Sequence, residues 1–168
     1  FFPQYLPSFY KNLKRKHTDI EFLAKVAEAL GGIDSLVGLE ILKNIYPFFN
    51  NIIKIEVLRA MQKLSRYDNE FLFTILEEGD FFLKRQAFVI LAKDELTRRT
   101  ALERLFAIPS LFGRKNKLII ENIKVVEDIG LKEVESYLVS LNRRHFFWNK
   151  NVRARAKELL ENWHAREN

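Results

Sequence analysis

No cysteine occurs among these 168 residues. That excludes a disulfide scaffold, a Cys-ligated zinc site and a thiol nucleophile, and it fits a reducing cytoplasm. Proline and glycine are scarce as well, at four and six residues, too few for an all-β chain with many turns. There is no run of 18 apolar residues, so no segment of this sequence reads as a membrane-spanning helix. The sequence has no glycine-rich phosphate loop, no paired zinc-binding histidines and no serine elbow. His17, His145 and His164 lie far apart, so neither a metal nor a cofactor is expected. The acidic pairs Glu77-Glu78 and Glu127-Asp128 fall at helix ends and read as solvated surface.

What is present is apolar and charged in ordinary globular proportion, with 48% hydrophobic and 30% charged residues. Leu, Ile, Lys, Glu and Ala dominate, which favours helix. The formal charge of +6 is uneven. Residues 1–84 carry 11 basic against 11 acidic side chains, and residues 85–168 carry 17 against 11. The second half is therefore the one suited to an acidic partner.

Apolar spacing is helical nearly throughout. Leu36, Val37, Leu39, Ile41, Leu42 and Ile45 form one wide stripe, and Val57, Leu58, Met61 and Leu64 another. Gly31-Gly32, Asn50-Asn51, Tyr67-Asp68-Asn69, Gly79-Asp80, Gly113, Gly130 and Asn149 punctuate them. The pattern predicts ten helices in five pairs. The first helix of each pair is expected over 4–15, 34–47, 69–78, 97–108 and 131–142. The second is expected over 19–30, 51–65, 81–93, 116–129 and 150–163.

The second helices align on one another. Val152, Ala156, Leu159, Leu160 and Trp163 match Leu118, Asn122, Val125, Val126 and Ile129. They match Leu83, Ala87, Ile90, Leu91 and Asp94 before that, then Ile53, Val57, Ala60, Met61 and Leu64, and finally Asp19, Leu23, Val26, Ala27 and Leu30. The last column falls at 30, 64, 94, 129 and 163, a spacing of 30 to 35 residues. One helix pair per such period marks an α-solenoid.

Asp80-Phe81-Phe82-Leu83-Lys84-Arg85-Gln86-Ala87 resembles the turn-to-second-helix pattern of HEAT-type repeats, the short kind found in many bacterial proteins. Asn149-Lys150-Asn151-Val152-Arg153-Ala154-Arg155-Ala156 repeats it. The stretch Val125–Val134 resembles the link between such repeats. The resemblance covers residues 19 to 163 and departs from the pattern at Asn122 and Asp94. It implies an all-α fold, an α-solenoid of about five antiparallel helix pairs in a right-handed superhelix. Tetratricopeptide repeats share the period but lack their first-helix signature here. A non-repeating bundle is the third alternative.

The expected organisation is one domain over 1–168, with repeats over 19–148 and a C-terminal capping helix over 149–168. Residues 1–18 read as an N-terminal capping helix or as a juxtamembrane remnant, since FFPQYLPSFY has five aromatics in ten residues and KNLKRKH follows it. The sequence begins at Phe1, which reads as a piece of a larger, cytoplasmic protein, with a membrane anchor only in a segment before Phe1. One further column runs Ala24, Leu58, Phe88, Ile123 and Lys157. It is apolar until the last unit, as expected where a terminal repeat has no successor to cover.

The resemblance implies a non-catalytic protein–protein interaction scaffold. Basic groups at Lys11–Lys16, Arg98-Arg99, Arg114–Lys117, Arg143-Arg144 and Lys150–Lys157 are its candidate contacts. Those between a first and a second helix fall along one edge of a solenoid. The candidate partner-binding residues are Arg114, Lys115, Lys117, Arg143, Arg144, Phe146, Phe147, Trp148 and Lys150, facing an acidic protein. The alternatives are ordinary solubilising charge, a nucleic-acid-binding module using the same basic turns, and a HEAT-like alkylpurine DNA glycosylase, for which no acidic residue can be matched with Trp148 or Trp163.

Overall fold

The computed structural model describes residues 20–32, 36–109, 111–127, 129, 132–144 and 146–167. Among these the chain is all-α, with no strand. Nine helices follow in order: α1 (Ile20–Gly31), α2 (Leu36–Ile45), α3 (Asn51–Gln62), α4 (Asn69–Glu78), α5 (Phe81–Leu91), α6 (Glu95–Phe106), α7 (Asn116–Val126), α8 (Lys132–Asn142) and α9 (Lys150–Glu167). Short 3-10 turns occupy Tyr46–Phe48, Leu111–Gly113 and Phe147–Asn149. The helix expected over 4–15 and the basic group Lys11–Lys16 lie outside the described residues.

Four helices start on the same device. Asn50, Asp68, Asp80 and Asp94 each accept, through Oδ1, the backbone N–H three residues on: Ile53 at 3.1 Å, Phe71 at 3.0 Å, Leu83 at 3.1 Å and Thr97 at 3.0 Å. Each satisfies one of the amides that a helix start leaves unpaired. Asp94 is thus an exposed cap of α6 and not a core position. It also corrects the start of that helix from 97 to 95. Its end moves to Phe106, ahead of Pro109, because the residue before proline disfavours helical backbone.

The chain forms two compact units, residues 1–71 and 72–168. In the first, α1 lies along α3, and α2 contacts both. Leu23, Ala27, Leu42, Val57, Leu58 and Met61 are almost fully buried. The α2 stripe is narrower than its sequence suggests, since Leu36 and Val37 are exposed. Lys43 Nζ lies 2.6 Å from Asp68 Oδ2, and Tyr46 meets Phe71 edge-on at 5.2 Å.

The hydrogen bond from Lys43, then the Phe71 amide, holds the Asp68 carboxyl below its ordinary range. The same bond raises the Lys43 ammonium. Asp68 therefore contributes stability above the ordinary carboxylate range, and that contribution is lost as pH falls through its lowered folded value. Lys43 contributes below the ordinary lysine range and loses that contribution as pH rises through its raised value. Asp68→Ala is expected to cost about 1–2 kcal/mol near neutrality through the lost cap and ion pair. Urea denaturation should show the gap to the unaltered chain closing in acid; a gap that persists at every pH would exclude the charged contribution.

In the second unit α5, α7 and α9 contact one another in succession, and α6 and α8 do the same beside them, with α6 also touching α5 and α7, and α8 touching α9. Leu83, Ala87, Phe88, Ile90, Leu91, Val125, Val126, Val152, Ala156 and Leu159 are buried to within a few per cent. In α7 Ile119 is buried and Leu118 only half so, which corrects the opening position of that register by one residue. Asn122 is buried because its Nδ2 donates at 2.8 Å to the carbonyl of Leu105 in the last turn of α6, a group without a partner in its own helix. Trp163 is half-exposed rather than core, with Nε1 donating to the Glu127 carbonyl at 3.2 Å.

Several basic residues bind the helices together. Arg98 reaches Glu133 of α8 at 2.7 Å, and Arg104 of α6 reaches Glu77 at 2.8 Å while lying 4.3 Å over the Phe73 ring. Arg155 of α9 pairs with Glu127 and Glu158. Lys84 of α5, 3% exposed, places its ammonium 3.7 Å from Glu121 of α7.

Candidate docking surface

Two turns of the second unit pack on each other, Leu111–Gly113 ahead of α7 and Phe147–Asn149 ahead of α9. Trp148, half-buried, is the centre of the contact. Phe146 stacks parallel to it with centroids 4.6 Å apart. Phe147 meets it edge-on at 5.0 Å, and Phe112 leans on it at 5.4 Å. Such offset and edge contacts are the favoured arrangements of aromatic rings. The three phenylalanines nevertheless remain 73% (Phe112), 63% (Phe146) and 81% (Phe147) exposed. They form a ridge of rings that are braced by one another and not covered by the fold.

The backbone that holds the ridge is specialised. Phe112 and Gly113 both adopt positive φ, 53° and 74°, a region that costs an L side chain energy and suits glycine. A Cβ at Gly113 would come within 3.3 Å of Trp148 and 3.1 Å of Asn116 Nδ2. Asn116 Nδ2 donates to the Trp148 carbonyl, which ties the start of α7 to the second turn. Asn149 is buried and its N–H donates to the Phe146 carbonyl at 2.9 Å.

Around the ridge stand Arg114, Lys115, Lys117, Arg143, Arg144 and Lys150, all exposed except the half-buried Arg144. Arg114, Lys117, Arg143, Arg144 and Lys150 make no ion pair with a described residue. The sequence around both turns is free of acid, over residues 104–120 and again over 136–157. By contrast Arg98 and Arg99, also candidates on sequence, are taken up by Glu133 and Glu103.

All nine residues expected from the sequence lie on or beside these two turns. Phe112 and Gly113 were not among them. Their signal is periodic: Phe112 and Phe146 stand 34 residues apart, the spacing of Ile129 and Trp163. A groove of about 320 Å³ lies elsewhere in the unit, lined by Glu95, Arg98, Arg99, Leu102, Glu133, Ser136 and Tyr137. Neither tryptophan lines it. Burial, and after it the Glu103 carboxylate, raise the Tyr137 phenol above its ordinary range against an opposing pull from Arg99, so it stays protonated near neutrality. Among the described residues no three His, Asp or Glu side chains converge as metal ligands, and no helix is long and apolar enough to cross a membrane. Compared with protein families, curated proteins and solved structures, the chain matches none.

Proposed function

We propose that the chain is a non-catalytic protein-interaction scaffold built of HEAT-like helix pairs, with the aromatic–basic turns as the surface that docks an acidic partner. The solenoid reading is supported by the succession of α5, α7 and α9 beside α6 and α8, and by the caps Asn50 and Asp80, which start two second helices 30 residues apart. One observation carries the docking surface: exposed aromatic rings beside Arg114, Lys117, Arg143, Arg144 and Lys150, cations that no described carboxylate neutralises. Monomeric proteins seldom expose contiguous apolar patches without use.

Polyanion affinity tests this reading. Arg143→Glu, Arg144→Glu and Lys150→Glu together are expected to lower markedly the salt at which the protein leaves a heparin column, because each lost cation flattens the salt dependence. Reversal of Lys25, Lys63 and Lys157, exposed cations that already have carboxylate partners, makes the same change in net charge and is expected to have a far smaller effect. Equal shifts for the two variants would reduce the site to overall charge. A second reading, single-stranded nucleic acid, draws on the ring stack beside cations, and single-stranded RNA in place of heparin tests it.

A further inference from the structure

The reading of the turns as a docking surface leaves open what kind of acidic surface they meet. Resting on that reading, we propose that it is an anionic lipid bilayer, which Phe112, Phe146 and Phe147 enter at headgroup depth while the flanking Arg and Lys stay among the phosphates.

The chemistry of the ridge separates lipid from the other acidic surfaces. A nucleic-acid platform needs free ring faces on which bases can stack. Here Phe146 covers one face of Trp148 at 4.6 Å, and Phe147 and Phe112 crowd it from other directions. The faces that Trp148 and Phe146 turn to each other are thereby closed to a base. A protein partner would need a pocket shaped to three phenylalanines. A bilayer needs no such fit, because the acyl boundary moulds itself to any apolar projection. Phenylalanine also brings no polar group that would have to be paired on entry. Trp148, half-buried at the base of the ridge, is the residue type enriched where a membrane meets water.

Charge completes the match. Cations beside an anionic leaflet each add to attraction, whereas carboxylates would oppose it. Arg114, Lys117, Arg143 and Lys150 are exposed without ion pairs to described residues, and acid is absent from residues 104–120 and 136–157. Apolar insertion and basic contact are the two signals that together hold a protein on a membrane more firmly than either alone. Docked this way, the chain would keep its other helix surfaces for protein partners.

Co-sedimentation of the full chain with vesicles tests the proposal. Vesicles of equal parts phosphatidylcholine and phosphatidylserine are expected to carry the protein down, and vesicles of phosphatidylcholine alone are not. The double variant Phe112→Asn with Phe147→Ser removes two exposed rings; asparagine tolerates the positive φ at 112, and circular dichroism checks that the helices are kept. Its partitioning onto the mixed vesicles is expected to fall about tenfold or more, with retention on heparin unchanged. Retention on heparin with no vesicle binding would overturn the lipid assignment and leave the docking surface standing. Loss of single-stranded RNA binding in the double variant, with vesicle binding intact or absent in both, would give the ridge to nucleic acid and overturn it too. A chain that ignores heparin, RNA and vesicles alike would remove both the surface and its lipid.

Discussion

Phe88→Lys is expected to abolish the cooperative unfolding transition of residues 72–168, while Lys157→Phe, the reverse change at the matching place on α9, leaves it nearly intact. Phe88 is fully buried on α5, in the same column as the equally buried Leu58 and Ile123. Lys157 occupies that column on α9, with its side chain 64% exposed and paired to Glu161 at 3.5 Å. Truncating a buried phenylalanine alone costs about 3–5 kcal/mol. An ammonium in its place adds the loss of its hydration. The sum is comparable with the whole stability of an ordinary domain, about 5–15 kcal/mol. Lys157→Phe gives up a surface pair worth about 0.3–0.5 kcal/mol. Urea denaturation followed by circular dichroism measures both. A folded Phe88→Lys, or a Lys157→Phe that is equally damaging, would sink the column on which the repeat alignment rests.

Gly31→Val is expected to destabilise the first unit by about 3 kcal/mol or more. Gly31 closes α1 where that helix lies along α3. A Cβ there would stand 2.7 Å from the Ala60 carbonyl oxygen and 2.8 Å from its Cα and Cβ. Two of those three atoms are backbone, so no side-chain rotation relieves the clash and the helices must separate. Ala60→Gly removes the Cβ only, and in the double variant it is expected to restore a minor part of the loss. Gly31→Ala sets the smaller methyl against a helix-propensity gain of about 1 kcal/mol, so it falls between the two. Thermal melts of the four proteins give the comparison; full rescue by Ala60→Gly would show that α1 and α3 do not approach as closely as their backbones indicate.

The parts of this fold that are local were legible in the sequence. Asp80 and Asn50 announce helix starts through their own next turn, and α4 runs over the very residues its pattern predicts. The apolar columns of the second helices could be read because burial in a helix follows a fixed period. What depends on a neighbouring helix could not. Lys84 looks like surface in isolation but is buried, with Glu121 across from it on α7. Asn122 looks like a misfit until the Leu105 carbonyl supplies its partner. The aromatic ridge was half visible: three aromatics in a row stand between basic residues in the sequence. The fourth ring, Phe112, belongs to the turn ahead of α7 and joins them only through contact between turns.

The positions of the tryptophans have a spectroscopic consequence. The chain has two, and both lie in the second unit, Trp148 within the ring stack and Trp163 held to the Glu127 carbonyl. Tryptophan emission therefore watches residues 72–168 alone, whereas far-ultraviolet circular dichroism sums helices from both units. Unfolding followed by the two signals together would show whether the halves melt as one body or in turn. With Trp163→Phe, the remaining emission would come from Trp148 in the aromatic ridge itself.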